Sequence, residues 1–143
     1  RMIKIGNNVE INDYVHLAAV ESIIIGDNVL IASKVFISDI QHGCYTGNST
    51  HDSPSSNPSS RTLSSQKVII EDNVWIGESV SVLSGVTIGV GTIVGANSVV
   101  SKDLPPNVIA VGSPAKPIKA YNKNTQKWEN IPNQDPQSKL DEK

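Results

Sequence analysis

Histidine and cysteine are the residue types in this sequence best suited to acid–base or nucleophilic chemistry. The chain contains three histidines, His16, His42 and His51, and a single cysteine, Cys44. An imidazole changes charge near neutral pH, so it can take a proton from a poor nucleophile such as a hydroxyl group. The three histidines lack the spacing of a zinc site, and we interpret Cys44 as a passive thiol. Proton transfer by a histidine is therefore the chemistry that these residues could carry if the fold positions one of them.

A six-residue repeat organises most of the chain. Aliphatic residues stand six apart at Ile70, Ile76, Val82, Ile88, Val94 and Val100, and a second small or aliphatic residue follows each by four. The same pattern runs through 5–17 and 25–37, with a small insertion near 21–22. Neither a helix nor an alternating strand has this period. Three six-residue sides make a triangular turn of 18 residues, with corners predicted at 6–8, 26–28 and 71–73, and stacked turns form a parallel ladder.

Composition agrees with a narrow coil. The chain of 143 residues holds 33 Ile or Val but only six Leu and six aromatic residues, which argues against a helical bundle or an ordinary sandwich. The net charge is −2, so a broad nucleic-acid surface is not expected. Residues 1–101 carry five basic and nine acidic side chains, whereas 102–143 carry seven and five. No apolar run approaches a membrane span, and a lone cysteine fits a reducing, cytoplasmic compartment.

The repeat resembles that of hexapeptide-repeat acetyltransferases, including galactoside, maltose and surface-polysaccharide O-acetyltransferases, over residues 5–119. The resemblance implies an all-β, left-handed parallel β-helix over 1–119, with a long protruding loop at 38–67. It also implies a homotrimer with sites between subunits. We expect residues 120–143 to form a short cap, with a helix near 121–129 and then a disordered end. Because Arg1 opens the chain just before a coil, we also expect natural sequence to precede it.

The segment 35–43 resembles the part of sugar O-acetyltransferases that carries the catalytic histidine, which implies that His42 is the general base. Relatives often have a second histidine two places earlier, where this chain has Ile40. We predict that His16 and His51 are incidental. Asp39 or a backbone carbonyl could orient the imidazole, and this choice stays open. Asn12 and Asp39 are the predicted acceptor contacts.

Two further segments resemble the donor-binding parts of the family. Residues 73–77 resemble the segment behind the reacting centre, and 94–106 with 112–119 resemble the coenzyme A motif. The resemblance implies that acetyl-CoA is the donor and that no metal takes part. The implied donor contacts are Trp75, Gly77, Ala96, Ser101, Lys102, Lys116 and Lys119.

The leading hypothesis is an acetyl-CoA-dependent O-acetyltransferase that modifies a sugar hydroxyl of a bacterial surface polysaccharide or its precursor. Transfer would be direct, in a ternary complex. An N-acetyltransferase acting on an amino sugar or antibiotic is the alternative enzyme, because the same base serves a neutral amine. A non-catalytic β-helical scaffold is the alternative from another class, and Ile40 and the serine-rich loop are the features in its favour.

Overall fold

The computed structural model describes residues 2–46 and 51–132, which form a three-sided parallel solenoid. Its strands are numbered in chain order. The first face contains β1 (Met2–Ile5), β4 (Ser22–Ile25), β9 (Val68–Ile70) and β12 (Thr87–Ile88). The second face contains β2 (Glu10–Ile11), β5 (Leu30–Ile31), β10 (Trp75–Ile76), β13 (Ile93–Val94), β15 (Val108–Gly112), β16 (Ala115–Asn122) and β17 (Lys127–Asn130). The third face contains β3 (His16–Ala18), β6 (Phe36–Ser38), β11 (Ser81–Val82) and β14 (Val99–Val100). Outside the faces lie β7 (Ile40–His42), β8 (Leu63–Ser65) and a 3₁₀ helix (Pro58–Ser60).

Strand register confirms the predicted repeat. Ile70 pairs with Ile88, and Val82 with Val100, so one turn of the solenoid takes 18 residues. In the first turn Ile5 pairs with Ile25, which is 20 residues away, and the two extra residues are the insertion predicted near 21–22. The solenoid has about five turns and the architecture of the left-handed parallel β-helix that the resemblance implies.

The interior consists of the residues that the repeat predicts to point inward. From Ile25 to Leu104 the inward positions of the coil are buried, and Ile70, Ile76, Val80, Val82, Ile88 and Val100 are fully inaccessible to solvent. In the first coil the inward residues Ile5 and Ile11 remain 46% and 40% exposed. Burying one such side chain stabilises the fold by roughly 1.5–3 kcal/mol. Thr92 and Ser98 occupy two inward positions and remain hydrogen-bonded there. The Thr92 hydroxyl donates to the Pro105 carbonyl at 2.6 Å, and the Ser98 hydroxyl accepts from the Gly112 amide at 3.0 Å.

The predicted corners between the first and second faces are present. Asn8, Asn28 and Asn73 stand above one another there with φ of 52°, 56° and 59°. This left-handed conformation is one that asparagine tolerates better than most residues. Aspartates at these corners also join successive coils by hydrogen bonds. The Asp72 carboxylate accepts a hydrogen bond from the Asp27 amide of the preceding coil at 2.7 Å.

The cap differs from the prediction. The helix expected near 121–129 is wrong, because β16 turns back against β15 and then pairs with β17 in antiparallel fashion. The turn between them is held by the Asn122 side chain, which accepts from the Asn124 and Thr125 amides at 2.9 and 3.3 Å. This arrangement pairs the backbone with the existing sheet, which a helix would not do. The predicted disordered end lies outside the described residues from 133 onward.

Candidate active site

The long loop predicted at 38–67 leaves the solenoid on a two-stranded stem. Strands β7 and β8 pair in antiparallel fashion, with Ile40 opposite Ser65 and His42 opposite Leu63. The Gly43 amide extends the stem by donating to the Thr62 carbonyl at 2.9 Å. His42 is solvent-exposed at the far end of this stem, so a substrate can reach its imidazole.

Asp39 lies at the base of the stem and is fully buried. One carboxylate oxygen accepts from the Val20 amide and the other from the Glu21 amide, both at 2.8 Å. These bonds close the coil at its two-residue insertion. Because both oxygens are used and the side chain has no exposed surface, Asp39 is not available to contact an acceptor or to orient His42.

A groove of about 390 Å³ opens where the stem meets the third face. Its walls combine apolar side chains with hydroxyl and amide groups, contributed by Phe36, Ser38, Ile40, Gln41, Leu83, Ser84 and Ser101. Ser101 belongs to the predicted donor motif, and Gln41 immediately precedes His42 in β7. The groove therefore brings one predicted donor residue beside the strand that carries the predicted base.

The other predicted donor residues occupy three separate places. Gly77 and Ala96 are stacked at the corner between the second and third faces, where a Cβ on Gly77 would lie 2.7 Å from the Ala96 amide nitrogen. Trp75 points outward from the second face and is 48% exposed. Lys116 and Lys119 lie in β16 of the cap. Within the described residues these groups do not converge on His42.

Asn12 is also separated from His42. Its side-chain amide donates to the Ile31 carbonyl at 3.0 Å, which ties the first coil to the second. Asn12 precedes the third face along the chain, whereas His42 follows it, so the two lie toward opposite edges of that face. A single chain does not bring the predicted acceptor contact Asn12 to the predicted base.

Sequence analysis missed Tyr45 and Arg61, which make the polar contacts that organise the loop around His42. Both lie in the polar loop 38–67, whose composition alone does not indicate specific contacts. An isolated arginine inside a Ser- and Pro-rich run is the signal that could have drawn attention to it. Hydrogen bonds from the Thr46 side chain and backbone lower the pKa of the nearby Cys44 thiol, which is partly exposed.

In residues 2–46 and 51–132, no set of three or more His, Cys, Asp or Glu side chains could share a metal ion. No helix in those ranges is long and apolar enough to cross a membrane.

Comparison with known proteins finds relatives among bacterial acetyltransferases. Residues 67–102 match the family described as "Bacterial transferase hexapeptide (six repeats)". WbbJ of Escherichia coli (strain K12), whose name provisionally assigns it to lipopolysaccharide biosynthesis as an O-acetyl transferase, is 50% identical over 128 residues. That match covers 90% of this chain and 65% of WbbJ.

Two solved structures are similar in fold and sequence. The hexapeptide-repeat acetyltransferase VCA0836 of Vibrio cholerae O1 biovar eltor, complexed with acetyl coenzyme A, matches with a TM-score of 0.72 and 33% identity, over 84% of this chain and 61% of that one. A galactoside acetyltransferase in complex with coenzyme A matches with a TM-score of 0.74 and 34% identity, over 91% and 60%.

The chain spans less than two thirds of the length of these three relatives. The chain carries the hexapeptide repeat of bacterial transferases and has the fold of a left-handed β-helix.

Proposed function

We propose that the chain is an acetyl-CoA-dependent O-acetyltransferase that acts on a sugar hydroxyl of a bacterial surface polysaccharide or its precursor. The observation that carries this proposal is the groove between the stem and the third face, where Ser101 of the donor motif lies beside the strand of His42. WbbJ and the two acetyltransferase structures support the choice of donor and reaction.

The groove has the chemistry that a pantetheine arm requires. Phe36, Ile40 and Leu83 provide apolar surface for its methylene groups, and Ser84 and Ser101 provide hydroxyls for its amides. Lys102 follows Ser101 and is exposed, so its ammonium group can meet phosphate oxygens. We propose Ser101 and Lys102 as donor contacts on this basis, and Trp75, Gly77, Ala96, Lys116 and Lys119 on the motif alone.

His42 would act first as a base and then as an acid. Its imidazole takes the proton of the acceptor hydroxyl as that oxygen attacks the carbonyl carbon of the bound thioester. The donor supplies an activated acetyl group. After the attack the C–S bond breaks, and the new C–O bond remains as the ester. The imidazolium then returns the proton to the departing thiolate, so charge and protons balance. Backbone N–H groups of the coil are suited to stabilise the negative carbonyl oxygen.

A homotrimer would complete the site. Trp75 and Asn12 lie away from His42 within one chain, so a neighbouring subunit is required for them to join it. Trp75 and Phe36 are large side chains that remain 48% and 40% exposed, and a neighbour would cover such surface. Light scattering should give three times the chain mass, and a monomer would contradict a site between subunits. A free cysteine suits a reducing compartment, so we place the reaction in the cytoplasm.

Acetyl transfer to a panel of sugars tests the proposal. The protein should release coenzyme A only with a hydroxyl acceptor, and alkaline hydroxylamine should remove the new acetyl group because it cleaves esters and spares amides. A hydroxylamine-resistant product would indicate the N-acetyltransferase. His42→Ala should abolish transfer, whereas His51→Ala, an exposed histidine of the same loop, is the matched control and should not change it.

A binding measurement separates an enzyme from a scaffold. Acetyl-CoA at 100 times its dissociation constant should stabilise the folded protein by about 2.7 kcal/mol. His42→Ala should keep this stabilisation, because the imidazole acts on the acceptor proton rather than on the nucleotide. A thermal unfolding curve that acetyl-CoA does not move would favour the scaffold.

A further inference from the structure

A chain of two hydrogen bonds connects Arg61 to the backbone of His42. The Arg61 Nη1 group donates to the Tyr45 hydroxyl at 2.7 Å. The same hydroxyl donates to the His42 carbonyl at 2.5 Å. A guanidinium charge that bonds to a hydroxyl oxygen polarises the O–H group, and consecutive hydrogen bonds strengthen one another. The bond to the His42 carbonyl is therefore stronger than one from an isolated tyrosine.

Three further N–H groups of Arg61 donate inside the loop. Nε donates to the Ser56 hydroxyl at 2.9 Å, and Nη2 donates to the Ser56 and Ser53 carbonyls at 2.8 and 3.2 Å. The guanidinium carbon also lies 5.9 Å from the centroid of the Tyr45 ring. Arg61 thus fixes the Tyr45 side chain against the outer part of the loop, and few of its N–H groups remain for a substrate.

Gly43 supplies an independent sign that this arrangement is specific. Its φ of 102° lies in the region that disfavours residues with a side chain, and it sets the direction in which the backbone leaves His42. A Cβ at this position would lie 2.5 Å from the Tyr45 hydroxyl oxygen and 3.0 Å from the Asp52 carboxylate. That carboxylate accepts the Cys44 amide at 2.8 Å, so Asp52 is itself held beside Gly43. Only glycine leaves room for the tyrosine hydroxyl to reach back to His42.

We propose that Tyr45 and Arg61 are positioning residues for His42. Holding the carbonyl of His42 fixes the peptide plane, and with it the direction in which the Cα–Cβ bond sends the imidazole. Near-attack geometry is sensitive to displacements of about 1 Å, which can cost about 100-fold in rate. The proposal rests on the proposed function, because it requires His42 to be the base.

Tyr45→Phe removes the hydroxyl and keeps the ring, so it is the sharpest test. We expect kcat to fall by about 10- to 100-fold while KM for acetyl-CoA stays within about twofold. Arg61→Met should lower kcat by a similar factor, and Arg61→Lys should lower it less. The Tyr45→Phe/Arg61→Met double variant should be no slower than the slower of the two single variants. Tyr14→Phe is the matched control, since Tyr14 is 84% exposed. Near-normal kcat in Tyr45→Phe would overturn the proposal.

The His42→Ala background distinguishes positioning from an independent role. A residue that acts through His42 loses its effect when His42 is absent, so Tyr45→Phe should leave the residual rate of His42→Ala unchanged. A further loss of the same size as in the wild type would show that Tyr45 acts on substrate or on loop folding, and would overturn the inference alone. Full activity of His42→Ala would instead overturn the proposed function. If Tyr45→Phe does not fold, Arg61→Met takes its place and should show the same dependence on His42.

Discussion

Replacing Asp39 with asparagine tests whether this buried side chain is structural, as its contacts indicate, or binds the acceptor, as the sequence suggested. The amide of asparagine keeps one acceptor oxygen and turns an NH₂ group toward the second backbone amide. One charge-assisted hydrogen bond is lost, which costs roughly 1.5–3 kcal/mol, and the remaining one becomes neutral and weakens by about 1 kcal/mol. We therefore expect the free energy of unfolding to fall by about 3 kcal/mol.

Urea unfolding and thermal scans measure this change. A loss of this size corresponds to a fall in Tm of roughly 10 °C for a chain of this length. Asp13→Asn is the control, because Asp13 is exposed, and it should change stability by less than about 0.5 kcal/mol. The KM for the acceptor should not rise in Asp39→Asn at a temperature where the protein is folded. Unchanged stability together with a raised acceptor KM would refute the structural assignment and restore Asp39 as a substrate contact.

Three further substitutions test the coil and the loop. Gly77→Ala should destabilise the protein by about 1–3 kcal/mol, because the new Cβ would lie 2.7 Å from the Ala96 backbone. Urea unfolding measures the loss, and an unchanged midpoint would mean that the two coils can move apart without cost. Asn73→Val should cost about 1–2 kcal/mol, because the valine must adopt a φ of 59°, and a wild-type Tm would contradict this. Thr46→Val should raise the pKa of the Cys44 thiol, which Thr46 lowers in the wild type, so alkylation by iodoacetamide should need a higher pH; an identical pH profile would show that the hydrogen bond has no effect.

The solenoid could be predicted because its repeat has a local cause. Inward positions take narrow side chains that are mostly aliphatic, and the corners between the first and second faces take asparagine, which tolerates positive φ. Ile70, Val82 and Asn73 therefore each carry information without any partner being known. The insertion near 21–22 was likewise visible as a change of phase. The buried Asp39 carboxylate closes the coil at this insertion, and only the structure reveals it. A contact between residues 18 or 19 apart leaves no periodic signal in the sequence.

The cap and the loop depend on contacts that the sequence does not encode locally. Residues 121–129 have no strong alternation, and their strand conformation follows from the free edge of β15, onto which β16 and then β17 add. Composition likewise described 51–60 only as polar. The Arg61–Tyr45 contact spans 16 residues of sequence and could be recognised only once the β7–β8 stem brought the two segments together.

The most direct test of the central claim is the acetyl-transfer rate of His42→Ala at saturating acetyl-CoA, with the best acceptor from the sugar panel. General-base catalysis by one imidazole contributes about 10²- to 10⁴-fold, so the rate should fall by that factor while the affinity for acetyl-CoA is unchanged. A rate within threefold of the wild type would contradict the assignment of His42 as the base on which the proposed function depends.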